Sequence, residues 1–96
     1  MIRSFADSET EKVYQRRYSK KLPNEIQSRA RRKLLMIKNA QDVNDLRVPP
    51  GNRLKKMKAG PCANRWSVRI NQQWRICFAW QDGDAFDVEI IDYHEG

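Results

Sequence analysis

No lysine or arginine follows Arg75. Residues 76–96 carry six acids and no base, a net −6, whereas residues 1–75 carry all 19 Lys and Arg against six acids, a net +13. This is a basic body followed by an acidic final segment. A body of that charge suits a polyanion: nucleic acid, an acidic protein or a membrane surface. Long apolar runs are also missing. Stretches such as Leu34 to Ile37 and Ile76 to Trp80 reach only four or five residues, far below the roughly 20 that span a bilayer. The opening MIRSFADSE has no apolar segment of the kind a secretory signal needs, so a cytoplasmic location is expected. Cysteine and histidine are scarce. Cys62 and Cys77 do not form a metal-like pair, and the single His94 cannot complete a zinc set, so no metal or other cofactor is expected. In a reducing cytosol the two cysteines are expected as free thiols.

What is present suits one small domain over residues 1–96. Forty per cent of residues are hydrophobic, including three Trp, three Tyr and three Phe, enough for a modest core. MIRSF is short enough for an edge strand. SETE fits a capping box, with Ser8 as cap and Glu11 turning back, and opens a helix to about residue 19 that buries Val13. Lys20 to Pro23 form a break. Ile26, Ala30, Leu34, Ile37 and Gln41 then recur at helical spacing, with Asn24 and Glu25 suited to the start. After DVNDL comes RVPPGNR, whose prolines and glycine exclude a helix. The period then becomes two. Trp66, Val68 and Ile70 oppose Arg65, Ser67, Arg69 and Asn71. Trp74, Ile76, Phe78 and Trp80 oppose Arg75, Cys77 and Ala79. NQQ and QDGD read as hairpin turns, residues 86–93 as a further strand, and residues 54–58 as a short one leading in. The fold expected is α+β: an N-terminal helical hairpin packed on one face of an antiparallel meander. Arg75 then stands on the sheet's open face.

PPGNRLKKMKAG, NRWSVRINQQWRICFAW and DGDAFDVEIIDYH follow one another in that order. Together they resemble the HigB group of the RelE-like toxins of bacterial toxin–antitoxin pairs, over nearly the whole chain. The resemblance implies a compact RelE-like domain. It also implies an endoribonuclease that cuts messenger RNA, usually in the ribosomal A site, and is neutralised by a helix-turn-helix antitoxin of the HigA type. Operator DNA is then met only through the antitoxin. Lys58 matches the family lysine of L-K-G, although Ala59 precedes the glycine here. Arg75 matches the arginine of W-R, and Asp92, Tyr93 and His94 match the closing D-Y-H. Lys55 stands where some relatives have histidine, and Gln73 where Asn is common, which moves the burden of proton transfer to His94 or a lysine.

RNA is cut without a metal when its 2′-hydroxyl attacks the adjacent phosphate. The enzyme must take the 2′ proton, stabilise the charged transition state and protonate the leaving 5′ oxygen. Imidazole titrates near neutrality, which suits His94 to act as base or acid, with Asp92 orienting it. Arg75 offers a permanently charged fork to the phosphate oxygens. Lys58 supplies a second cation or a base, and Tyr93 stacks on a nucleobase or donates a proton. Arg31, Arg32, Lys55, Lys56, Arg69 and Gln73 are the candidates for holding RNA or ribosome. Two alternatives remain: a gyrase poison on a similar fold, and a non-catalytic RNA- or ribosome-binding module.

Overall fold

The computed structural model describes residues 1–93. Helix α1 (Ser8–Tyr14) is followed by α2 (Asn24–Asn39) and two 3₁₀ turns (Val43–Arg47 and Pro50–Asn52). Strands β1 (Lys55–Lys56), β2 (Trp66–Arg69), β3 (Trp74–Gln81) and β4 (Asp84–Asp92) complete the chain and pair antiparallel in that order. This is the α+β meander that the change of period predicts.

The helical stripe becomes the core. Ile26, Ala30, Leu34 and Ile37 of α2 are buried against Val68, Ile70, Ile76, Phe78, Val88 and Ile90 of the sheet region. Burying each of the larger side chains contributes about 1.5–3 kcal/mol. The stripe's expected end, Gln41, lies outside, because α2 stops at Asn39 and Ala40 is buried in its place.

Helix α1 differs from expectation at both ends. The cap is Asp7, whose carboxylate accepts from the Thr10 amide at 2.6 Å and the Thr10 hydroxyl at 3.1 Å, not Ser8. The helix stops at Tyr14, and Arg16 takes a left-handed φ of 62°. A competing set of hydrogen bonds accounts for the early stop. Gln27 of α2 accepts from the Ser19 amide and donates to the carbonyls of Ser19 and Leu22, fixing the connection in a non-helical path.

Both sheet edges are protected. β1 is two residues long and exposes two lysines, which discourages strand addition. The N-terminal segment runs beside β4 through isolated parallel bridges, Ile2 to Ala85 and Phe5 to Val88, as an edge strand in outline only.

A buried asparagine fixes the approach to the sheet. Asn52 is 0% exposed and donates to the carbonyls of Leu46 and Val48. Its Oδ1 accepts from Lys33 Nζ of α2. Burial, then the neighbouring charges of Arg29 and Arg32, lower the Lys33 pKa. Next along the chain, Arg53 turns through a left-handed φ of 44°, which directs the backbone across the sheet.

Candidate active site

Strand register decides which side chains meet. Lys55 lies opposite Ser67, Ser67 opposite Cys77, Arg69 opposite Arg75, and Arg75 opposite Ile91. Cross-strand partners share a face, so this row occupies the face away from the helices. It places Arg69 directly opposite Arg75 in the ladder, and their Nε groups bond in opposite directions along it, Arg75 toward Ser67 and Arg69 toward Asn71.

Arg75 is not the open-face cation that alternation suggests. It is 3% exposed. Its Nε donates to Ser67 Oγ at 2.9 Å, and its Nη2 donates to the Arg53 carbonyl at 2.8 Å. The backbone turn at Arg53 covers it, and the buried Ser67 hydroxyl satisfies it from beside. Arg69 is half-buried, with Nε donating to the Asn71 carbonyl at 3.0 Å.

The same face carries a small second core, made by Met57, Cys62 and Cys77 with Ile91 and Tyr93 against them. The expected pair of free thiols is corrected here. Cys62 and Cys77 are joined as a disulfide with Cα atoms 5.9 Å apart, within the span that such a bridge reaches. Both residues are fully buried. The bridge fastens the segment after β1 to the central strand, so the far face of the sheet is partly covered.

Beside this second core lies a cleft of about 440 Å³, lined by Lys55, Lys56, Lys58, Gly60 and Tyr93 among others. Lys58 is exposed on the segment that the disulfide holds. Lys56 Nζ lies 5.4 Å from the centre of the Trp66 ring and donates to the Asn64 carbonyl. Tyr93 sits over Gly60: a Cβ there would lie 3.7 Å from the tyrosine ring, and the glycine has φ +82°. A positive φ with an aromatic overhead explains a glycine at this position.

The end of β4 is held by the β2–β3 turn. Gln73 Nε2 donates to Asp92 Oδ2 at 3.0 Å, and the Gln73 carbonyl accepts from the Tyr93 amide. Asn71 shapes that turn by accepting from the amides of Gln73 and Trp74, both at 2.8 Å. Asp92 lies opposite Trp74, on the helix side of the sheet, whereas Tyr93 packs with Ile91 on the other side. His94 lies outside the described residues.

The structure therefore brings Lys55, Lys58 and Tyr93 to one cleft, with Arg75 and Arg69 on the same face, while Lys56 lines the cleft but turns its amine to Trp66 and the Asn64 carbonyl. Asp92 is exposed at the end of β4. Arg31 and Arg32 belong to α2 on the opposite layer and do not converge with the cleft. The sequence reading missed Ser67 and the Arg53 carbonyl as partners of Arg75, and the second role of Gln73 as a clamp. Ser67 was detectable in principle, since alternation puts it on the Arg75 face. The Arg53 carbonyl carried no side-chain signal. Among the described residues, no cluster of His, Cys, Asp and Glu could hold a metal ion.

A four-stranded antiparallel meander with two helices on one face is an α+β arrangement of the RelE-like kind. A family model described as "RelE-like toxin of type II toxin-antitoxin system HigB" matches residues 3–94. The chain is similar to Toxin HigB-1 of Vibrio cholerae serotype O1, with 34% identity over 96 residues and 99% of each chain covered. It is also similar to Endoribonuclease HigB of Proteus vulgaris, with 27% identity over 94 residues, covering 98% of this chain and 100% of the relative. The chain belongs to the HigB-like toxins of type II toxin–antitoxin systems, and a cognate antitoxin is its implied partner. No described helix is long and apolar enough to cross a membrane.

Proposed function

We propose that this toxin is an endoribonuclease that cuts messenger RNA on the ribosome. The observation that carries the reading is the cleft where Lys55, Lys58 and Tyr93 meet, on the face that holds Arg69 and Arg75. A relative named as an endoribonuclease supports it. The 2′-hydroxyl oxygen attacks the neighbouring phosphorus, and the bond to the 5′ oxygen breaks, so no external nucleophile is consumed. Lys58 neutralises the phosphate from the cleft wall. Arg75 contributes a fixed charge from beneath, where low dielectric strengthens its field. Tyr93 offers a ring for a splayed base. His94 moves the proton, a role assigned on its residue type; Asp92, on the helix side and held by Gln73, stays outside the cleft.

The partner on this reading is a HigA-like helix-turn-helix antitoxin, with operator DNA bound only through it, and the site of action is the cytoplasm. The deciding experiment is brief induction without the antitoxin, followed by mapping of new 5′ ends on cellular messenger RNA. New ends within translated regions are expected with the unaltered chain and not with His94→Ala. DNA damage without new RNA ends would identify a gyrase poison instead. The burial of Arg75 favours one second reading, in which the arginine is structural and the cleft only binds RNA. Slowed translation without any cleaved message would establish that reading.

A further inference from the structure

A second cavity, of about 290 Å³, opens in the helix layer, on the opposite side of the sheet from the lysine–tyrosine cleft. Arg16, Arg17, Tyr18, Gln27, Ser28 and Arg31 line it, with no acid among the lining residues. We propose that this cavity is a binding site for a nucleoside phosphate unit, either a free nucleotide or an unpaired nucleotide of a longer strand. Four observations support it.

Three arginines line one small space. Like charges gathered in this way repel unless an anion lies among them, and guanidinium is the donor best shaped for phosphate. The Nε of Arg31 is buried and has no hydrogen-bond partner among the described residues. A buried donor left unpaired is costly, and a shift of the Arg31 side chain toward a phosphate oxygen in the cavity would remove that cost. Tyr18 is 62% exposed. An exposed phenol beside arginines provides a stacking platform for a planar base. Finally, the wall is preformed. The Arg17 amide donates to the Lys12 carbonyl at 2.7 Å, and Gln27 clamps Ser19 and Leu22, so the connection need not be ordered on binding. The volume lies near the lower end for small-ligand sites, about 300 Å³, which fits one nucleotide and not a folded domain.

An acidic peptide also carries anions, but it would leave Tyr18 without a stacking partner, so the observations favour the nucleotide. The proposal does not depend on the nuclease reading.

The test uses the purified full chain and amide NMR titration with four probes: inorganic phosphate, adenosine monophosphate, a short single-stranded DNA and polyglutamate. The DNA lacks the 2′-hydroxyl and so survives any nuclease. Adenosine monophosphate is expected to shift the Gln27, Ser28 and Arg31 amides and to bind more tightly than inorganic phosphate. Arg31→Gln should weaken it about tenfold, the loss expected for one charge-assisted hydrogen bond. Tyr18→Ala should erase the advantage over phosphate, while Lys58→Ala leaves these shifts in place. If DNA shifts these amides and the mononucleotide does not, the source is a nucleic-acid strand, and the proposal stands in that form. Arg31→Lys, which keeps the charge, serves as the second variant should Arg31→Gln fold poorly. No shift of these amides by any probe would overturn the proposal. So would unchanged affinity in folded variants, or shifts produced by polyglutamate alone.

Discussion

Replacing Arg75 by alanine is expected to damage folding and cleavage together, by separable amounts. The side chain is 3% exposed and gives Nε to Ser67 and Nη2 to the Arg53 carbonyl. Ser67 is itself fully buried. Its hydroxyl would lose a charged donor with no direct access to water, a loss of about 1–3 kcal/mol. Arg53 is exposed, so water replaces much of what its carbonyl loses. Releasing a buried charge returns part of the cost. The net expectation is about 2–3 kcal/mol of lost stability. Cleavage should fall further, on the order of 10²–10³-fold, as when a positioned charge-stabilising donor is removed. Arg75→Lys keeps a charge but not the fork, so it should recover part of the stability and little of the rate. The assays are urea denaturation and single-turnover cleavage of ribosome-bound message, at a temperature where each variant is folded. An unchanged denaturation midpoint for Arg75→Ala would refute the structural part of the reasoning. Full cleavage by folded Arg75→Ala would remove it from the site.

Asn52→Ala should lower stability by about 2–4 kcal/mol, since it removes the buried bonds to Leu46 and Val48 and leaves Lys33 without its acceptor, and calorimetry would show a lowered midpoint. Reducing the disulfide should cost about 3 kcal/mol, because the bridge closes a loop of 15 residues, and urea midpoints with and without reductant measure it. Two carboxyls have pKa values below their ordinary range: Glu9, through its bond from Ser19 and then Lys12, and Asp84, through Arg3 and then the N-terminus. A lowered folded-state pKa contributes stability that is complete above the unfolded pKa and is lost as pH falls through the folded one, so stability should decline as pH drops below about 4. Glu9→Gln with Asp84→Asn should flatten that decline in denaturation curves taken across the range. Binding to ribosomes or RNA should weaken steeply as salt rises, and a flat response would mean that the basic face only meets water.

How much of this was legible in the sequence varies along the chain for physical reasons. The core of α2 was legible because Ile26, Ala30, Leu34 and Ile37 share one face at helical spacing, and nothing else competes for them. The meander was legible because the alternation around Trp66–Arg69 and Trp74–Gln81 is local. Long-range contacts hid the rest. The end of α1 depends on Gln27, which belongs to another helix. The burial of Arg75 depends on a carbonyl 22 positions earlier, and a backbone acceptor leaves no trace in residue type. The covering of the far face depends on Met57 and Cys62 from the β1–β2 connection meeting Cys77 of β3 and Ile91 of β4. Residue type did mark Lys58 and Tyr93, and the structure brings both to one cleft. It also marked Gln73 as an RNA contact, although the side chain is engaged with Asp92.

Gln73 holds Asp92 with its side chain and Tyr93 with its carbonyl, so the turn between β2 and β3 anchors the end of β4. A one-residue change in that turn would carry Gln73 out of reach and release the end of β4 from its clamp, while the β3–β4 pairing, set by the turn at Asp82 and Gly83, stays as it is. The apolar pairs deeper in the sheet would still find one another. Such a variant would fold with an intact core and yet deliver Tyr93 away from Gly60 and Lys58. On the proposed nuclease reading, turn length here bears on the reaction as well as on the fold. Related chains that keep this chemistry should tolerate substitution within residues 71–73 far better than insertion or deletion.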